Sequence, residues 1–180
     1  MEGAVFLDRD GTIIEDVHYC RRPEDVTLLP NAAKAIALLN SATIPVIIVT
    51  NQSGISRGYF DWGTLEAIHQ ELQRALTRAH ARVDAIYVCP HHPDDRCGCR
   101  KPRPGLLLRA AAELGLELST SYMVGDQHGD ILAGQACGCT TVLVDSGPTR
   151  AAARAARPDF RASNLYRAAQ WIVHHTPGST

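Results

Sequence analysis

The chain has 180 residues, of which 45% are apolar and 21% charged, and a formal net charge of −1. This length suits one domain with a core that needs no disulfide staples, and the composition excludes disordered and collagen-like classes. The near-neutral balance, with no long run of one sign, argues against a nucleic-acid surface, and no apolar run approaches the roughly 18–20 residues of a membrane span.

An apolar run at 4–7 predicts the first strand, and it ends on Asp8-Arg9-Asp10-Gly11-Thr12. Pro30-Asn31 opens a helix with Ala32, Ala35, Ile36 and Leu39 on one face. A second strand is expected at 46–50, then a helix at 64–80 with Leu65, Ile68, Leu72 and Leu76 inward. A third strand at 85–89 precedes a Cys/His-rich loop, and a helix runs from Pro104 to the stop at Gly115. A fourth strand at 121–125, a short helix at 130–137, a fifth strand at 141–145 and a last helix after Ser163 complete the series. The Ala/Arg stretch at 149–157 reads as a solvated surface segment and the tail at 176–180 as frayed.

The strands are near-continuously apolar, as parallel strands buried on both faces are. Their alternation with helices predicts an α/β fold, a doubly wound parallel sheet forming one domain over 1–176. In such a sheet, ligands bind beyond the carboxyl ends of the strands. Asp8 and Asp10 follow strand one, Thr50 and Asn51 strand two, and Asp126 strand four, so three separate segments converge on one crevice.

Two carboxylates at a strand end that enters a glycine turn can serve one reacting centre. A carboxylate that attacks phosphate needs a cation to offset the repulsion. Asp126 can complete an oxygen-ligand magnesium site with Asp8 and the backbone carbonyl of Asp10. Lys101 or Arg100 would balance phosphoryl charge, the Thr50 hydroxyl and nearby backbone N–H groups would donate hydrogen bonds, and Asp10 would carry protons. One Asp at a strand end is as readily a helix cap; the whole set is not.

In order, Asp8-Arg9-Asp10-Gly11-Thr12, Val49-Thr50-Asn51-Gln52, Lys101 and Gly125-Asp126 resemble the four motifs of the haloacid-dehalogenase-like phosphatases, over residues 4–146. The resemblance implies a Rossmann-like haloacid-dehalogenase fold. It implies an aspartyl-phosphate on Asp8, Asp10 as general acid/base, Thr50 and Lys101 as phosphoryl stabilisers, and magnesium at Asp8, Asp10 and Asp126. Asp130 reads as a cap or a support behind the site rather than a direct ligand. The chain is too short for a large cap domain between the motifs, which leaves water exclusion to loops at 16–23, 54–62 and 91–100.

Six cysteines in a chain whose start, Met1-Glu2-Gly3-Ala4, lacks a basic signal-peptide region point to the cytoplasm and to metal rather than disulfides. Cys89-Pro90-His91 with Cys97-Gly98-Cys99 offers three thiolates and one imidazole, which suit a closed, structural, tetrahedral zinc site in the loop at 89–101. His92 is a second candidate ligand, and unmetallated cysteines are the alternative. Zinc there would set Arg100 and Lys101 at the crevice. Cys137 and Cys139 read as small buried residues, and nothing around Cys20 demands that it face substrate.

The zinc loop with Cys-Arg-Lys-Pro at 99–102 resembles a narrower branch that holds the D-glycero-D-manno-heptose 1,7-bisphosphate 7-phosphatases and the histidinol-phosphate phosphatases. The stretch from Thr50 to Phe60, Cys89-Pro90-His91-His92-Pro93 and Ser121-Tyr122-Met123-Val124-Gly125-Asp126 are similar to the heptose enzymes. That similarity assigns Asp16, Val17, His18 and Tyr19 to a substrate loop, and 50–53 (Asn51, Gln52 and Ser53 after Thr50) to a phosphate-binding strip. Two features depart from the pattern: five residues separate His91 from Cys97, as in histidinol-phosphate phosphatases, and Gln127 stands where many heptose enzymes carry a substrate-touching Lys. Arg57 and Arg100 favour a bisphosphate, since they can hold the phosphate that is not cleaved. The expected partner is a small phosphorylated metabolite, with neither nucleic acid nor membrane, and the expected state is a monomer. Rival readings are a catalytically silent zinc-loop binding module and a polynucleotide 3′-phosphatase. The intact Asp8, Asp10, Thr50, Lys101 and Asp126 count against the first, and the absence of a basic, aromatic-laced strip counts against the second.

Overall fold

The structure, a computed structural model, describes residues 2–145 and 157–176. The segment expected on the surface at 149–157 lies outside the described residues except for its last member, as does the tail beyond 176. Among the described residues, six strands form one parallel sheet: β1 (Val5–Leu7), β2 (Val46–Asn51), β3 (Ala85–Cys89), β4 (Tyr122–Gly125), β5 (Thr140–Val144) and β6 (Phe160–Ala162). Their spatial order is β3-β2-β1-β4-β5-β6. The order reverses between β1 and β4, whose register pairs Val5 with Tyr122 and Leu7 with Val124.

Side-chain alternation along β1 feeds two cores. Val5 and Leu7 join the cluster that holds Ala35, Ile36 and Leu39 of α1 (Ala32–Ser41), Ile68, Leu72 and Leu76 of α2 (Trp62–Arg78), and Ile172 of α5 (Leu165–His175). Phe6 points the other way, into a cluster with Leu106, Leu107 and Ala110 of α3 (Gly105–Leu114) and Ala133 of α4 (His128–Ala136). The doubly wound sheet predicted from the apolar runs is therefore present, and no large cap domain interrupts it among the described residues.

Local chemistry sets the helix ends. Asp61 accepts a hydrogen bond from Thr64 N at 2.7 Å, which starts α2 two residues earlier than its apolar periodicity suggests. Gly115, at φ 67°, ends α3 in the left-handed conformation. The sixth strand was not anticipated. Only three residues long, it pairs Val142 with Phe160, and Asp159 secures its start by accepting from both Thr141 N and Thr141 Oγ1 at 2.7 Å.

Candidate active site

Asp8 leaves β1 at the point where the strand order reverses, with its N–H donating to Val124 O of β4 at 3.0 Å. The chain then folds sharply: Ile13 N and Ile14 N both donate to Arg9 O, and Gly11 N donates to Ile14 O at 2.8 Å. Gly11 has φ 79°, and a Cβ there would run into the Asp126 carboxylate. Glycine thus satisfies the turn and admits the second acidic segment at once. Gly125, at the end of β4, makes room for Asp130, whose carboxylate occupies the space a side chain would fill.

Lys101 is buried, and its ammonium group has three acceptors for three protons. These are Asp8 Oδ1, Asp130 Oδ1 and Val49 O, each at 2.7 Å. Burial works against the charge, but Asp130 and Asp8 outweigh it and hold Lys101 protonated. Asp130 also accepts from Gln127 N at 3.0 Å, so one carboxylate caps α4 and anchors the lysine. Both of its oxygens are engaged, Oδ1 by Lys101 and Oδ2 by Gln127 N.

Asp8, Asp126 and Asp130 bring carboxylate oxygens within 4.8 Å of one another against the single ammonium. Burial pushes Asp8 well above the usual carboxylate range; Lys101 opposes this, while Asp130, Asp126 and Asp10 add to it. Burial, then Asp130, raises Asp126 to about 6. Asp126 Oδ2 accepts from Gln127 Nε2 at 2.6 Å, but the buried Oδ1 has no partner. An orphaned buried carboxylate oxygen within a surplus of negative charge is what a hard divalent cation with oxygen ligands relieves, so the residues fit magnesium. The Asp10 carboxylate is not part of this group. Arg9 holds it in a fork (Nε to Oδ2 at 3.1 Å, Nη2 to Oδ1 at 3.0 Å), and Gln52 Nε2 donates to Oδ2 at 2.8 Å. Its backbone carbonyl remains the group expected to face the ion.

A cavity of about 310 Å³ opens above these groups. Asp8, Asp10 and Lys101 form its floor, and its walls include Asp16, His18 and Tyr19, then Asn51, Gln52 and Ser53, then Arg100 and Gln127. Arg100 Nη1 is buried with no hydrogen-bond partner. Four residues predicted for the crevice, Thr50, Val17, Arg57 and Asp126, do not line the wall. Thr50 is buried, with its hydroxyl accepting from Gln52 Nε2 at 2.8 Å; Val17 is 46% exposed; Arg57 lies on the exposed stretch of the following loop. The rim loops meet where Tyr59 packs edge-on against Tyr19, with the Arg21 guanidinium 4.4 Å from the Tyr59 ring centroid.

Cys89, His91, Cys97 and Cys99 also bring one ligand atom each within 4.8 Å of the others. The sulfur–sulfur distances are 3.0–3.6 Å, and His91 Nδ1 lies 3.2 Å from Cys99 Sγ and 3.6 Å from Cys89 Sγ. One tetrahedral ion with bonds of about 2.0–2.3 Å can bridge such a set, so the donors fit zinc. His92 turns elsewhere: its Nδ1 accepts from Asp94 N and its N–H donates to Asp95 Oδ2, capping a short turn (Pro93–Asp95). Cys139 is buried and Cys137 partly buried against the second core, as small core residues are.

A D-glycero-beta-D-manno-heptose-1,7-bisphosphate 7-phosphatase of Bordetella bronchiseptica is 42% identical over 147 residues, 81% of this chain and 82% of its own length. The chain belongs to the haloacid-dehalogenase-like phosphatases. The HAD-hydrolase-like family matches residues 98–168, and membership makes the chain a phosphoric monoester hydrolase. A D-glycero-D-manno-heptose-1,7-bisphosphate 7-phosphatase of Thermosynechococcus vestitus is 38% identical and aligned over 96% of both chains. Among solved haloacid-dehalogenase-like phosphatases, the D,D-heptose 1,7-bisphosphate phosphatase of B. bronchiseptica, complexed with magnesium and phosphate, superposes with a TM-score of 0.90. It is 38% identical and covers 96% of this chain and 98% of its own.

Three contributors to the site escaped the motif reading. Arg9 reads as a charge between two acids, yet it is wholly buried. His69 on α2 approaches Arg9 Nη1 at 3.1 Å, and Cys20 lines the cavity beside them. The signal for His69 is its spacing: one helical turn after Leu65 and three residues before Leu72, it shares the inward face of α2.

Proposed function

We propose that this chain is a magnesium-dependent phosphatase that removes the 7-phosphate of D-glycero-D-manno-heptose 1,7-bisphosphate through an aspartyl-phosphate on Asp8. The observation that carries the reading is the floor of the cavity. There Asp8 is held by Lys101 and Asp10 lines the same cavity, while Asp126, whose buried Oδ1 has no partner, brings a carboxylate oxygen within 4.8 Å of Asp8 from behind the cavity lining. The names of the relatives support the substrate.

In this mechanism Lys101 fixes Asp8 Oδ1 and leaves the other oxygen of Asp8 to attack phosphorus as the bond to the substrate oxygen breaks. Asp10 gives that oxygen its proton, then takes one from the water that hydrolyses the acyl phosphate. Magnesium, held by Asp8, Asp126 and the Asp10 carbonyl, supplies the charge neutralisation that lets carboxylate and phosphate meet. Lys101 and the Thr50 hydroxyl stabilise the transferring group, and Asn51, Gln52 and Ser53 line its approach. Asp16, His18, Tyr19 and Gln127 face the sugar, and Arg100 holds the phosphate at C1, with Val17 and Arg57 left outside the cavity wall. Zinc at Cys89, His91, Cys97 and Cys99 orders the loop at 89–101 within a single domain. The enzyme would act as a monomer on a small soluble metabolite in the cytoplasm, supplying heptose for lipopolysaccharide or surface sugars.

The test is phosphate release with magnesium, comparing both anomers of heptose 1,7-bisphosphate with histidinol phosphate. A strong kcat/KM preference for the heptose is expected. A preference for histidinol phosphate, whose enzymes share the short zinc loop, would replace the substrate and leave the chemistry. Absence of turnover on any phosphate ester would leave a binding module.

A further inference from the structure

His69 lies outside the cavity floor and touches no expected substrate atom, yet it ends a hydrogen-bonded chain that reaches the proposed proton carrier. Arg9 is fully buried, and three of its N–H groups are spoken for: two by Asp10, as above, and Nη1 by His69 Nε2 at 3.1 Å. A guanidinium only donates, so His69 Nε2 must accept and the ring must be neutral, with its proton on Nδ1. Burial and the adjacent guanidinium enforce this, lowering the pKa of His69 to about 4.

The far side of Asp10 is fixed as well. Gln52 Nε2 donates both to Asp10 Oδ2 and to Thr50 Oγ1, each at 2.8 Å. The Asp10 carboxylate is therefore clamped between a loop amide and an arginine that is itself steered from α2, sixty positions along the chain. Without an acceptor at position 69, a buried N–H is orphaned, and the guanidinium gains a reason to swing from its fork.

We infer that His69 is a positioning residue for the proton-transfer step, acting through Arg9 to aim the carboxylate of Asp10. The inference rests on the role proposed above for Asp10. Glutamine can present an acceptor where Nε2 stands; leucine cannot. Proton delivery matters most for a poor alkyl leaving group and least for p-nitrophenolate, which departs without it. Since kcat/KM reports steps up to the first irreversible one, the contrast between the two ester types isolates that function.

His69→Leu should lower kcat/KM about tenfold or more on the alkyl phosphate that the wild type cleaves (heptose bisphosphate or histidinol phosphate). The change on p-nitrophenyl phosphate should stay within about threefold, and His69→Gln should recover most of the alkyl activity. Equal losses on both esters, wild-type behaviour in His69→Leu, or failure of glutamine to rescue would overturn the inference. A second measurement does not depend on substrate. Side-chain nitrogen NMR should find the Arg9 guanidinium rotationally locked in the wild type and His69→Gln but released in His69→Leu, and equal mobility in all three would also overturn it. An alkyl-inactive wild type with a locked Arg9 would sink the substrate reading and leave the clamp intact.

Discussion

Asn51 grips the main chain of Lys101 from both sides: its Oδ1 accepts from Lys101 N, and its Nδ2 donates to Lys101 O, both at 3.1 Å. The end of β2 thereby fixes the segment that follows the Cys/His loop, and Lys101 Nζ reaches Asp8 from a tethered backbone. Asn51→Ala should cost about 1–3 kcal/mol of stability, read from the denaturant midpoint. Its kcat should fall further than unfolding explains. A variant with full kcat would show that Lys101 is placed without the clamp.

Asp8→Asn should fold normally, because burial already favours the neutral form of this side chain. Turnover should drop by several orders of magnitude, since an amide is a poor nucleophile. Retention of about a tenth of the wild-type rate would exclude the covalent route.

Asp126→Asn removes a buried carboxylate whose Oδ1 has no partner. The metal-free variant should be as stable as the metal-free wild type or more so, while the magnesium needed for half-maximal activity should rise by about tenfold or more. Thermal denaturation with and without magnesium, beside a magnesium titration of activity, reads both. An unchanged magnesium requirement would remove Asp126 from the ion's ligands.

Freshly purified protein should carry close to one zinc per chain by elemental analysis. Its removal by a chelator should lower stability and activity together, because Arg100 and Lys101 follow directly on the last thiolate. Zinc-free protein of full stability would assign the cysteines another purpose.

The stability of the wild type relative to His69→Gln should depend on pH. The folded pKa of His69 is depressed from 6.5 to about 4. Between those values the unfolded chain binds a proton that the folded chain refuses, so the contribution of His69 is present above 6.5 and is lost as pH falls towards 4. Urea midpoints of the two proteins across that window should diverge in that sense. A constant difference would mean that His69 titrates normally.

Much of this was legible beforehand. Continuous apolar runs marked five strands, and the glycines and acids at their ends marked the crevice, because buried parallel strands and phosphate chemistry both constrain residue type tightly. Phe160–Ala162 was not marked: three residues are too few for a pattern, and the strand is defined by pairing with β5. Asn51 was expected to face substrate, and it does line the cavity, but its backbone clamp joins residues fifty apart and has no sequence signature. Lys101 was expected at the crevice, whereas Arg9 was given no role. Their burial becomes visible only once the partners that neutralise them are in place.

The parallel ladder beneath the site has a consequence for how this enzyme can change. Asp8, Asn51 and Asp126 stand on or directly after three adjacent strands, each hydrogen-bonded on both sides, so the floor has no joint on which to flex. Tyr19, Arg21 and Tyr59 belong to loops whose rings and guanidinium touch one another at the rim. On the roles proposed above, reaction and recognition would fall to different parts, and rim side chains such as Tyr19, Arg21 and Tyr59 could be exchanged for a different phosphate ester with the strand-borne groups left in place.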